Sequence, residues 1–341
     1  MSDPRISTLE SFCADNFPQK RDITIENWRS IPGGWESEIF AFDLCSGAGL
    51  QRERLGLALR LYSGNGAGDK AAQEFRAMQL LHKAGYPVPQ VYAIARSDSP
   101  LGRPFILMDY IHGETLGGLM EKAKGEHLQS LLELFCSLFT RLHGLDWRVF
   151  LDTDQAHSED PYHFVDASLE MARQFIASTQ FDDLNPIVDW LVQRRDRLPC
   201  VRPAPLHQDF HPSNILIRPD GAAVVIDWTS FTVSDPRFDL AWTLILSDAY
   251  VGEMFRDAIL QEYERQSGAP VLEIEAFEVF ACARRLFDIF VSLDQGAEQR
   301  GMRPEAVEAM KRDMPAARRV YQRLVKHTGV RIPRLEKMLE N

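Results

Sequence analysis

Three polar side chains, Asp209, Asn214 and Asp227, stand at a spacing that suits metal-assisted phosphoryl transfer. The first two lie in the segment 206–214, and the third follows the apolar run 223–226. This chemistry needs a carboxylate that orients an attacking hydroxyl and accepts its proton, and two oxygen ligands for the Mg²⁺ ions that neutralise the phosphates. One carboxylate, one amide and a second carboxylate could supply these functions.

Two simpler interpretations of the segment remain open. Asp209 and Asn214 flank a proline, and Asp, Asn, Ser and Pro all favour turns for backbone reasons. His207 and His211 have a spacing that resembles a zinc pair, although no Cys or His lies close enough in sequence to complete four ligands. The presence of Asp227 after a strand favours phosphoryl transfer, and we expect His207 to brace the loop.

The stretch from residue 206 to residue 241 resembles the aminoglycoside phosphotransferase and choline kinase-like family, which has a protein-kinase-like fold. In that family a His-x-Asp-x-x-x-x-Asn loop precedes a strand that ends in Ile-Asp-Trp or Ile-Asp-Phe. An Asp-Pro-x-x-Asp-Leu-Ala helix start follows. The corresponding segments of this chain are 207–214, 226–228 and 235–241.

The resemblance implies a role for each of these side chains. Asp209 would be the catalytic base, Asn214 and Asp227 would hold Mg²⁺, and Asp239 would be a structural anchor rather than a reactant. The co-substrate would be ATP or GTP, and the acceptor would be a small molecule with a hydroxyl group.

Residues 28–116 can supply a nucleotide-binding lobe ahead of this site. The glycine pair Gly33 and Gly34 is followed by Ser37 and by the alternating stretch 39–44, as expected of a glycine turn between two strands that cover phosphates. A glycine pair more often marks an ordinary hairpin, so both interpretations stay open.

A strand cation and a helix glutamate are also expected in this lobe. The pattern predicts a strand at 57–62, which carries Arg60, and a helix from Asp69 to His82 with Asp69 as its N-cap, which carries Glu74. In the kinase plan such a pair holds the α- and β-phosphates. Arg stands where kinases usually carry Lys, and it could bridge Glu74 and a phosphate or only lock the strand to the helix.

The stretch 104–116 looks like a buried strand that runs into a hinge. In related enzymes such a segment offers backbone groups to the purine, and Asp109 and Ile111 are our candidates for those contacts. A plain connection between a strand and a helix explains the pattern equally well.

The chain after residue 116 is predicted to be mostly helical. Leucine and phenylalanine recur at helical spacing between residues 128 and 142, which predicts a core helix. Further helices are expected at 182–197, 235–250, 254–266, 272–293 and 304–326, around a strand pair at 214–217 and 224–226. Residues 150–200 match no motif, although in the family this part helps to shape the acceptor pocket.

Composition restricts the possible partners and compartments. The 341 residues carry a net charge of −11 and no long basic cluster, so nucleic acid is not an expected partner, and no protein partner can be inferred. An acidic field would attract cations, which makes an amine-bearing acceptor one option. Five scattered cysteines argue against a disulfide framework. No apolar run of about eighteen residues and no signal peptide are visible, so we expect a cytoplasmic protein without a membrane segment.

We therefore predict an α+β, two-lobed, protein-kinase-like fold. Residues 1–107 would form a small mixed α/β nucleotide-binding lobe, residues 108–116 a hinge, and residues 117–341 a larger, mostly helical lobe for catalysis and acceptor binding. The predicted function is transfer of the γ-phosphate to a hydroxyl of an aminoglycoside-like, amino-sugar or amino-alcohol acceptor.

Two other functions fit parts of the sequence. A protein kinase is disfavoured because only eleven residues separate Asp227 from Asp239 and no Ala-Pro-Glu follows, which leaves no room for an activation segment. A non-catalytic nucleotide-binding protein is the alternative from another class, suggested by Arg60 and the weak glycine turn. Such a protein would have no need of Asp209.

Overall fold

The computed structural model describes the chain in six stretches: residues 3–31, 37–49, 52–96, 98–151, 159–295 and 311–340. The chain divides into two units. The first contains the residues up to Gly118 together with Ser213–Phe231, and the second contains the remaining described residues. The segment with Asn214 and Asp227 thus clusters with the N-terminal part of the chain. The lobe boundaries after residues 107 and 116 stay a prediction.

A five-stranded antiparallel sheet is the base of the first unit. Its strands pair in the order β1-β2-β3-β5-β4, with the bounds β1 (Thr24–Ile31), β2 (Ser37–Ser46), β3 (Glu53–Tyr62), β4 (Val91–Ala95) and β5 (Phe105–Asp109). Side chains alternate between the two faces of a strand. Leu57, Leu59 and Leu61 of β3 therefore share the face that packs into the hydrophobic core, and Arg60 and Tyr62 share the other.

Helix α1 (Arg5–Asn16) covers the apolar face of the sheet. Leu9 and Cys13 of α1 are fully buried in one cluster with Phe42 of β2 and Phe105 of β5. Full burial of a phenylalanine or leucine side chain contributes about 1.5–3 kcal/mol. This core therefore fixes β3 and leaves its polar face for the site.

Helix α2 (Ala67–Lys83) carries Glu74 toward that polar face. The prediction that Asp69 caps this helix is wrong, because the helix begins two residues earlier. Gly66 stands at the N-cap with a φ of +73°, a conformation that glycine adopts without steric strain. Asp69 lies in the first turn, where its negative charge suits the helix dipole.

Five shorter strands follow in the chain. They are β6 (Glu114–Thr115), β7 (Ala204–Leu206), β8 (Ile215–Ile217), β9 (Ala223–Val225) and β10 (Thr232–Ser234). In the first unit β6, β8 and β9 form one antiparallel sheet, and in the second unit β7 pairs with β10. Gly113 permits the β6–β8 pairing, since a Cβ there would collide with the carbonyl group of Ile217. This pairing joins the predicted hinge segment to the segment with Asp227.

Helices make up most of the second unit. Their bounds are α3 (Leu116–Lys122), which begins in the first unit, α4 (Glu126–Gly144), α5 (His163–Thr179), α6 (Asn185–Val192), α7 (Pro236–Tyr250), α8 (Glu253–Ser267), α9 (Ile274–Gln295), α10 (Met314–Thr328) and α11 (Pro333–Glu340). The predicted apolar stripe of α4 is buried, including Phe135 and Phe139. Helix α5 lies in the region that matched no motif, and the predicted start of the last long helix at residue 304 falls outside the described residues.

Two further expectations concern cysteines and membrane segments. All five cysteine side chains are free thiols and buried, and burial raises the pKa of Cys13, Cys136 and Cys200 to about 12. A thiol with so high a pKa is a poor nucleophile at neutral pH. In the described stretches, none of the helices has the length and apolarity needed to cross a bilayer.

Candidate active site

Arg60 is the centre of a buried polar network in the first unit. Its Nε donates a hydrogen bond to Ser37 Oγ at 3.0 Å, and its Nη1 donates to Glu74 Oε1 at 2.9 Å and to Asp227 Oδ1 at 3.0 Å. Burial alone would lower the pKa of Arg60, but the charges of Glu74 and Asp227 raise it above its usual value. Arg60 thus joins β2, α2 and the segment after β9 through one permanently charged group.

Glu74 is fully buried and accepts hydrogen bonds from three donors. Besides Arg60, the phenol of Tyr62 and the backbone N–H of Trp228 donate to its carboxylate, the latter at 3.3 Å. Burial raises the pKa of Glu74, and the charge of Arg60 opposes that rise. A buried carboxylate of this kind depends on its cation, because removal of one partner of a buried pair leaves an uncompensated charge.

Asp227 stands just after β9 in a backbone conformation that few non-glycine residues adopt. Its φ is +68°, and its Oδ1 also accepts a hydrogen bond from Thr229 Oγ1 at 2.9 Å. The side chain is 38% exposed. A left-handed conformation is a strain of about 1–2 kcal/mol for an ordinary residue, and such strain persists where the surroundings fix it.

Asn214 lies in the same unit as Asp227, and the backbone connects the two positions. It ends a short 3₁₀ turn, Pro212–Asn214, just before β8, and its side chain is half-buried. The N–H of Ile226, which precedes Asp227, donates to the carbonyl of Asn214 at 2.9 Å. The structure therefore brings the two predicted metal ligands onto neighbouring ends of one hairpin.

The remaining nucleotide-binding candidates have different placements. Gly33 and Gly34 lie outside the described residues. Ser37 begins β2 and is buried against Arg60. Asp109 already uses its N–H to donate to the carbonyl of Gln90 at 2.9 Å, and its carboxylate accepts the phenol of Tyr92 at 2.7 Å.

Ile111 follows Asp109 in the irregular stretch between β5 and β6 and is half-buried. The backbone N–H of Asp109 could therefore donate to a nucleotide base only if it gave up its hydrogen bond to the carbonyl of Gln90.

In the second unit, Asp239 of α7 holds the loop that carries Asp209. Its Oδ2 accepts the backbone N–H of His207 at 2.7 Å, and its Oδ1 accepts that of Gln208 at 2.8 Å. The carboxylate is fully buried, and His143 Nε2 lies 3.4 Å from it. Charge-assisted hydrogen bonds to two successive amides fix the start of the loop, where Gln208 has a φ of +67°.

One face of α7 supplies three successive contacts to this loop. Residues three and four positions apart share a helix face, and after Asp239 the next two on this face are Trp242 and Thr243. Trp242 Nε1 donates to Asp209 Oδ1 at 2.9 Å, and Thr243 Oγ1 donates to the carbonyl of Phe210 at 2.6 Å. The loop is therefore held residue by residue from 207 to 210.

Asp209 remains 43% exposed despite these contacts. Its Oδ2 lies 3.5 Å from His211 Nε2, and its backbone N–H donates to His207 Nδ1 at 3.3 Å. Burial alone would raise the pKa of Asp209, but hydrogen bonds from His211 and Trp242 and the nearby imidazole of His207 hold it well below its ordinary value. The carboxylate is thus ionised at neutral pH and can accept a hydrogen bond from an incoming hydroxyl.

The side chains in the two units differ in the metal ion that they could bind, zinc or magnesium. In the part of the chain that the structure describes, no three His, Cys, Asp or Glu side chains come together as a metal site, so His207 and His211 have no such third ligand there. Asp227 and Asn214 supply a carboxylate and a carboxamide. This set fits Mg²⁺, which takes few protein oxygens and completes its shell with water and phosphate.

Several contact residues were missed by the sequence analysis, and two of them had a visible signal. Tyr62 stands two positions after Arg60, so the period of a strand places both on one face. Trp242 stands three positions after Asp239, so helical periodicity places both on one face. His143 and Tyr263, which bond to each other at 2.8 Å, come from α4 and α8, and no local pattern connects them.

A family model described as the phosphotransferase enzyme family matches residues 27–274. Acyl-CoA dehydrogenase family member 10 of Mus musculus and member 11 of Gallus gallus are each 27% identical to this chain, over 190 and 179 residues. Each match covers 51% of this chain. The chain spans only 16% and 22% of the length of these curated relatives.

Solved structures with the same fold are also found. A Ralstonia eutropha JMP134 protein assigned as an aminoglycoside phosphotransferase has a TM-score of 0.68 at 17% identity, over 94% of this chain and 98% of that chain. A thermostable mutant of APH(4)-Ia, in a complex with AMP-PNP and hygromycin B, has a TM-score of 0.59 at 18% identity, over 92% and 98%. An APH(2") protein bound to GDP and kanamycin gives 0.58 at 17% identity, over 89% and 97%. The predicted two-lobed, protein-kinase-like fold class is confirmed.

Proposed function

Because this chain belongs to the phosphotransferase enzyme family, we propose that it is a kinase that transfers the γ-phosphate of ATP or GTP to a hydroxyl group of a small molecule. Family membership confirms the predicted enzyme class, a phosphotransferase with an alcohol acceptor. The observation that carries the proposal is the Asp209 carboxylate, which is partly exposed and held by Trp242 in a loop that Asp239 fixes.

In this proposal Asp209 is the catalytic base. Its lowered pKa makes it a weak proton acceptor in the ground state, so its first task is to orient the acceptor hydroxyl. In the loose transition state of phosphoryl transfer, the hydroxyl becomes acidic only as the bond to phosphorus forms. Asp209 then receives the proton, while His207 and Asp239 keep the loop in place.

Asn214 and Asp227 are proposed to hold Mg²⁺. Their oxygens are the hard donors that this ion prefers, and the hydrogen bond between Ile226 and Asn214 ties the two segments together. Bound Mg²⁺ would neutralise charge on the phosphate oxygens. Thr229 and Arg60 both donate to Asp227 Oδ1 and so orient its carboxylate.

The nucleotide is proposed to bind through the first unit. Arg60 carries the positive charge there, and Glu74 fixes the guanidinium. The proposed nucleotide-binding residues are Gly33, Gly34, Ser37, Arg60, Glu74, Asp109 and Ile111. The relatives with this fold were solved with AMP-PNP and with GDP, and on that basis we propose ATP or GTP as the donor.

We also propose that residues 1–107 form the nucleotide-binding lobe, residues 108–116 the hinge and residues 117–341 the catalytic lobe.

The acceptor class expected from the resemblance is an aminoglycoside, an amino sugar or an amino alcohol. The relatives solved with hygromycin B and kanamycin support testing that class first. Identities of 17–18% carry over the fold and not the pocket, so neutral and anionic alcohols belong in the same test.

One observation favours a second candidate, a non-catalytic nucleotide-binding protein. Arg60 replaces the usual Lys, and its Nη1 donates to Asp227 as well as to Glu74. A cation bonded to the predicted metal ligand would weaken the affinity for Mg²⁺. The ordered Asp209 loop argues for catalysis, because binding alone does not use it.

The test is nucleotide-dependent phosphorylation across a panel of aminoglycosides, amino sugars, neutral sugars and alcohols. Product formation and ADP or GDP release would be measured for the native protein, for Asp209→Asn and for Asp220→Asn. Asp220 lies in the exposed turn between β8 and β9, which makes it a matched control. General base catalysis contributes about 10²–10⁴-fold, so we expect a loss of that size in Asp209→Asn alone.

Binding of nucleotide, followed by calorimetry, separates the two candidates. Transfer that disappears in Asp209→Asn while nucleotide still binds supports the kinase. Nucleotide binding without transfer to any acceptor supports the binding protein. Equal transfer by the native protein and Asp209→Asn would reject Asp209 as the base.

A further inference from the structure

Arg284 of α9 is an exposed cation that the structure holds beside the Asp209 loop. Its Nη1 donates to Gln208 Oε1 at 2.7 Å, and its Cζ lies 4.2 Å from the centroid of the Trp242 ring. The same indole donates to Asp209 Oδ1. One aromatic ring therefore separates the guanidinium from the carboxylate proposed as the base.

The neighbouring arginine shows what distinguishes this position. Arg285 Nη2 donates to Tyr250 Oη at 3.0 Å and lies 3.7 Å from the carboxylate of Asp313. Arg284 makes no ion pair with any carboxylate among the residues that the structure describes. Its charge is thus held in place by a neutral amide and an aromatic face, and it is not neutralised there by a described side chain.

A guanidinium fixed in this way is suited to bind an anion. Its planar fork has five N–H donors and matches a carboxylate or phosphate group with two parallel hydrogen bonds, and one N–H here is used by Gln208. Contact with the Trp242 ring and the hydrogen bond to Gln208 restrain the guanidinium, so less conformational freedom is lost when a ligand binds. An amine at the same place would be repelled.

We propose that Arg284 binds the acceptor and that the acceptor carries an anionic oxyacid group, a carboxylate or a phosphate, close to the hydroxyl that is phosphorylated. This inference rests on the proposed function, because it takes Asp209 as the base that faces the hydroxyl. It narrows the acceptor to a class that differs from the amine-bearing compounds expected from the resemblance.

A purely structural role makes a different prediction for the same residue. If Arg284 only braced Gln208 in its left-handed conformation, its substitution would affect all acceptors alike. If it binds the acceptor, the effect depends on the charge of the acceptor. The experiment therefore compares compounds that share one ring and differ in charge.

The probes are glucose, glucosamine, glucuronate and glucose 6-phosphate. Binding to the full-length protein would be measured by calorimetry, and phosphorylation with MgATP and with MgGTP would be followed in parallel. The variants are Arg284→Gln and Arg284→Lys, with Arg285→Gln as the matched control on the next residue of α9. Glucuronate and glucose 6-phosphate distinguish a carboxylate from a phosphate ligand.

We expect at least one of the two anions to bind the native protein about tenfold more tightly than glucose, the size of one charge-assisted hydrogen-bonded contact. Arg284→Gln should remove that preference, Arg284→Lys should keep part of it, and Arg285→Gln should keep it whole. Anions that bind no better than glucose or glucosamine would overturn the inference, as would a preference that survives in Arg284→Gln. A charge preference that Arg284→Gln removes, without phosphoryl transfer to any of the four compounds, would support anion binding by Arg284 and overturn the inference that the bound anion is part of an acceptor.

Discussion

Each unit contains a fully buried carboxylate close to a partly exposed one that is proposed to function. These are Glu74 and Asp227 in the first unit and Asp239 and Asp209 in the second, and different contacts stabilise the two pairs. In the first, Glu74 and Asp227 share the guanidinium of Arg60. In the second, two backbone amides donate to Asp239, and the indole of Trp242 and the imidazole of His211 contact Asp209. The first network depends on one buried guanidinium, and the second distributes its contacts over amides, an indole and imidazoles, so they should respond differently to substitution and to pH.

The pKa shifts follow the same contrast. Burial raises the pKa of Glu74 in spite of its cation, whereas hydrogen bonds from His211 and Trp242 and the charges of the imidazoles of His211 and His207 lower the pKa of Asp209 although its burial opposes this. Desolvation disfavours the ionised carboxylate, and hydrogen bonds to the ionised form favour it. Glu74 is the carboxylate of an ion pair, and Asp209 is a partly exposed acceptor that a ligand could reach.

The largest effect is expected from removal of the cation in Arg60→Met. The substitution leaves Glu74 fully buried without a cation, and breaking a buried pair lowers the free energy of unfolding by about 3–5 kcal/mol. Denaturant unfolding of the native protein and the variant measures the loss. Because protonation would neutralise the stranded Glu74, the loss should shrink as the pH is lowered toward 5.

Arg60→Lys is the control for this prediction. It keeps the charge and loses the planar fork, so contacts to Ser37 and Asp227 weaken while Glu74 retains a cation. We expect a smaller loss of stability with little dependence on pH. Equal losses in the two variants would show that packing, and not charge, holds the first network together.

The next effect is expected from Asp239→Asn in the second network. The amide keeps the shape but offers only one acceptor oxygen to the N–H groups of His207 and Gln208. Hydrogen bonds to a charged group are worth about 1.5–3 kcal/mol, and we expect a loss of about 2–3 kcal/mol in unfolding free energy together with most of the activity. Thermal and denaturant unfolding beside Asp220→Asn checks the first part, and a variant of native stability would contradict it.

How far the sequence predicted these networks depends on whether their contacts are local. The order of Asp209, Asn214 and Asp227 was visible in a short motif, and periodicity placed Arg60 on a strand and Glu74 on a helix. The start of α2 was misplaced because Gly66 makes the turn before it. Asp69 was predicted as the N-cap because its side chain can accept hydrogen bonds from the first turn. The helix instead begins after Gly66, which adopts the positive φ of the cap position without strain.

Contacts between distant segments could not be predicted in the same way. The pairing of β6 with β8 depends on the small size of Gly113, and it clusters Ser213–Phe231 with the first unit. The contacts of His143 with Tyr263 and of Arg284 with the Trp242 ring join helices that are far apart in sequence. These contacts depend on how whole helices and strands pack against each other, and no periodic pattern along the sequence predicts that packing.

A smaller effect, on rate rather than stability, is expected from Trp242→Phe. Phenylalanine keeps most of the packing but removes the N–H that donates to Asp209 Oδ1. The pKa of Asp209 should then rise, and a misaligned base should lower kcat about tenfold with a loss of only about 1 kcal/mol in stability. Acceptor-dependent kinetics and thermal unfolding measure the two effects.

The pH profile sharpens this prediction. A carboxylate whose folded pKa is lowered contributes stability above its unfolded pKa of about 4, and that stability is lost as the pH falls through the folded pKa. Without the indole donor the acid limb of kcat/KM should move to higher pH. An unchanged acid limb, with kcat reduced, would mean that Trp242 aligns Asp209 without tuning its pKa.

The smallest effect is expected from Thr243→Val, which changes the same face of α7 without touching a carboxylate. Valine has nearly the same shape, but it leaves the carbonyl of Phe210 without the hydroxyl that donates to it at 2.6 Å. The loss should be about 1 kcal/mol in unfolding free energy, with kcat within about threefold of the native value. If kcat instead falls as far as in Trp242→Phe, the loop would act as one rigid unit, and the base would depend on every contact of α7 rather than on its own donor.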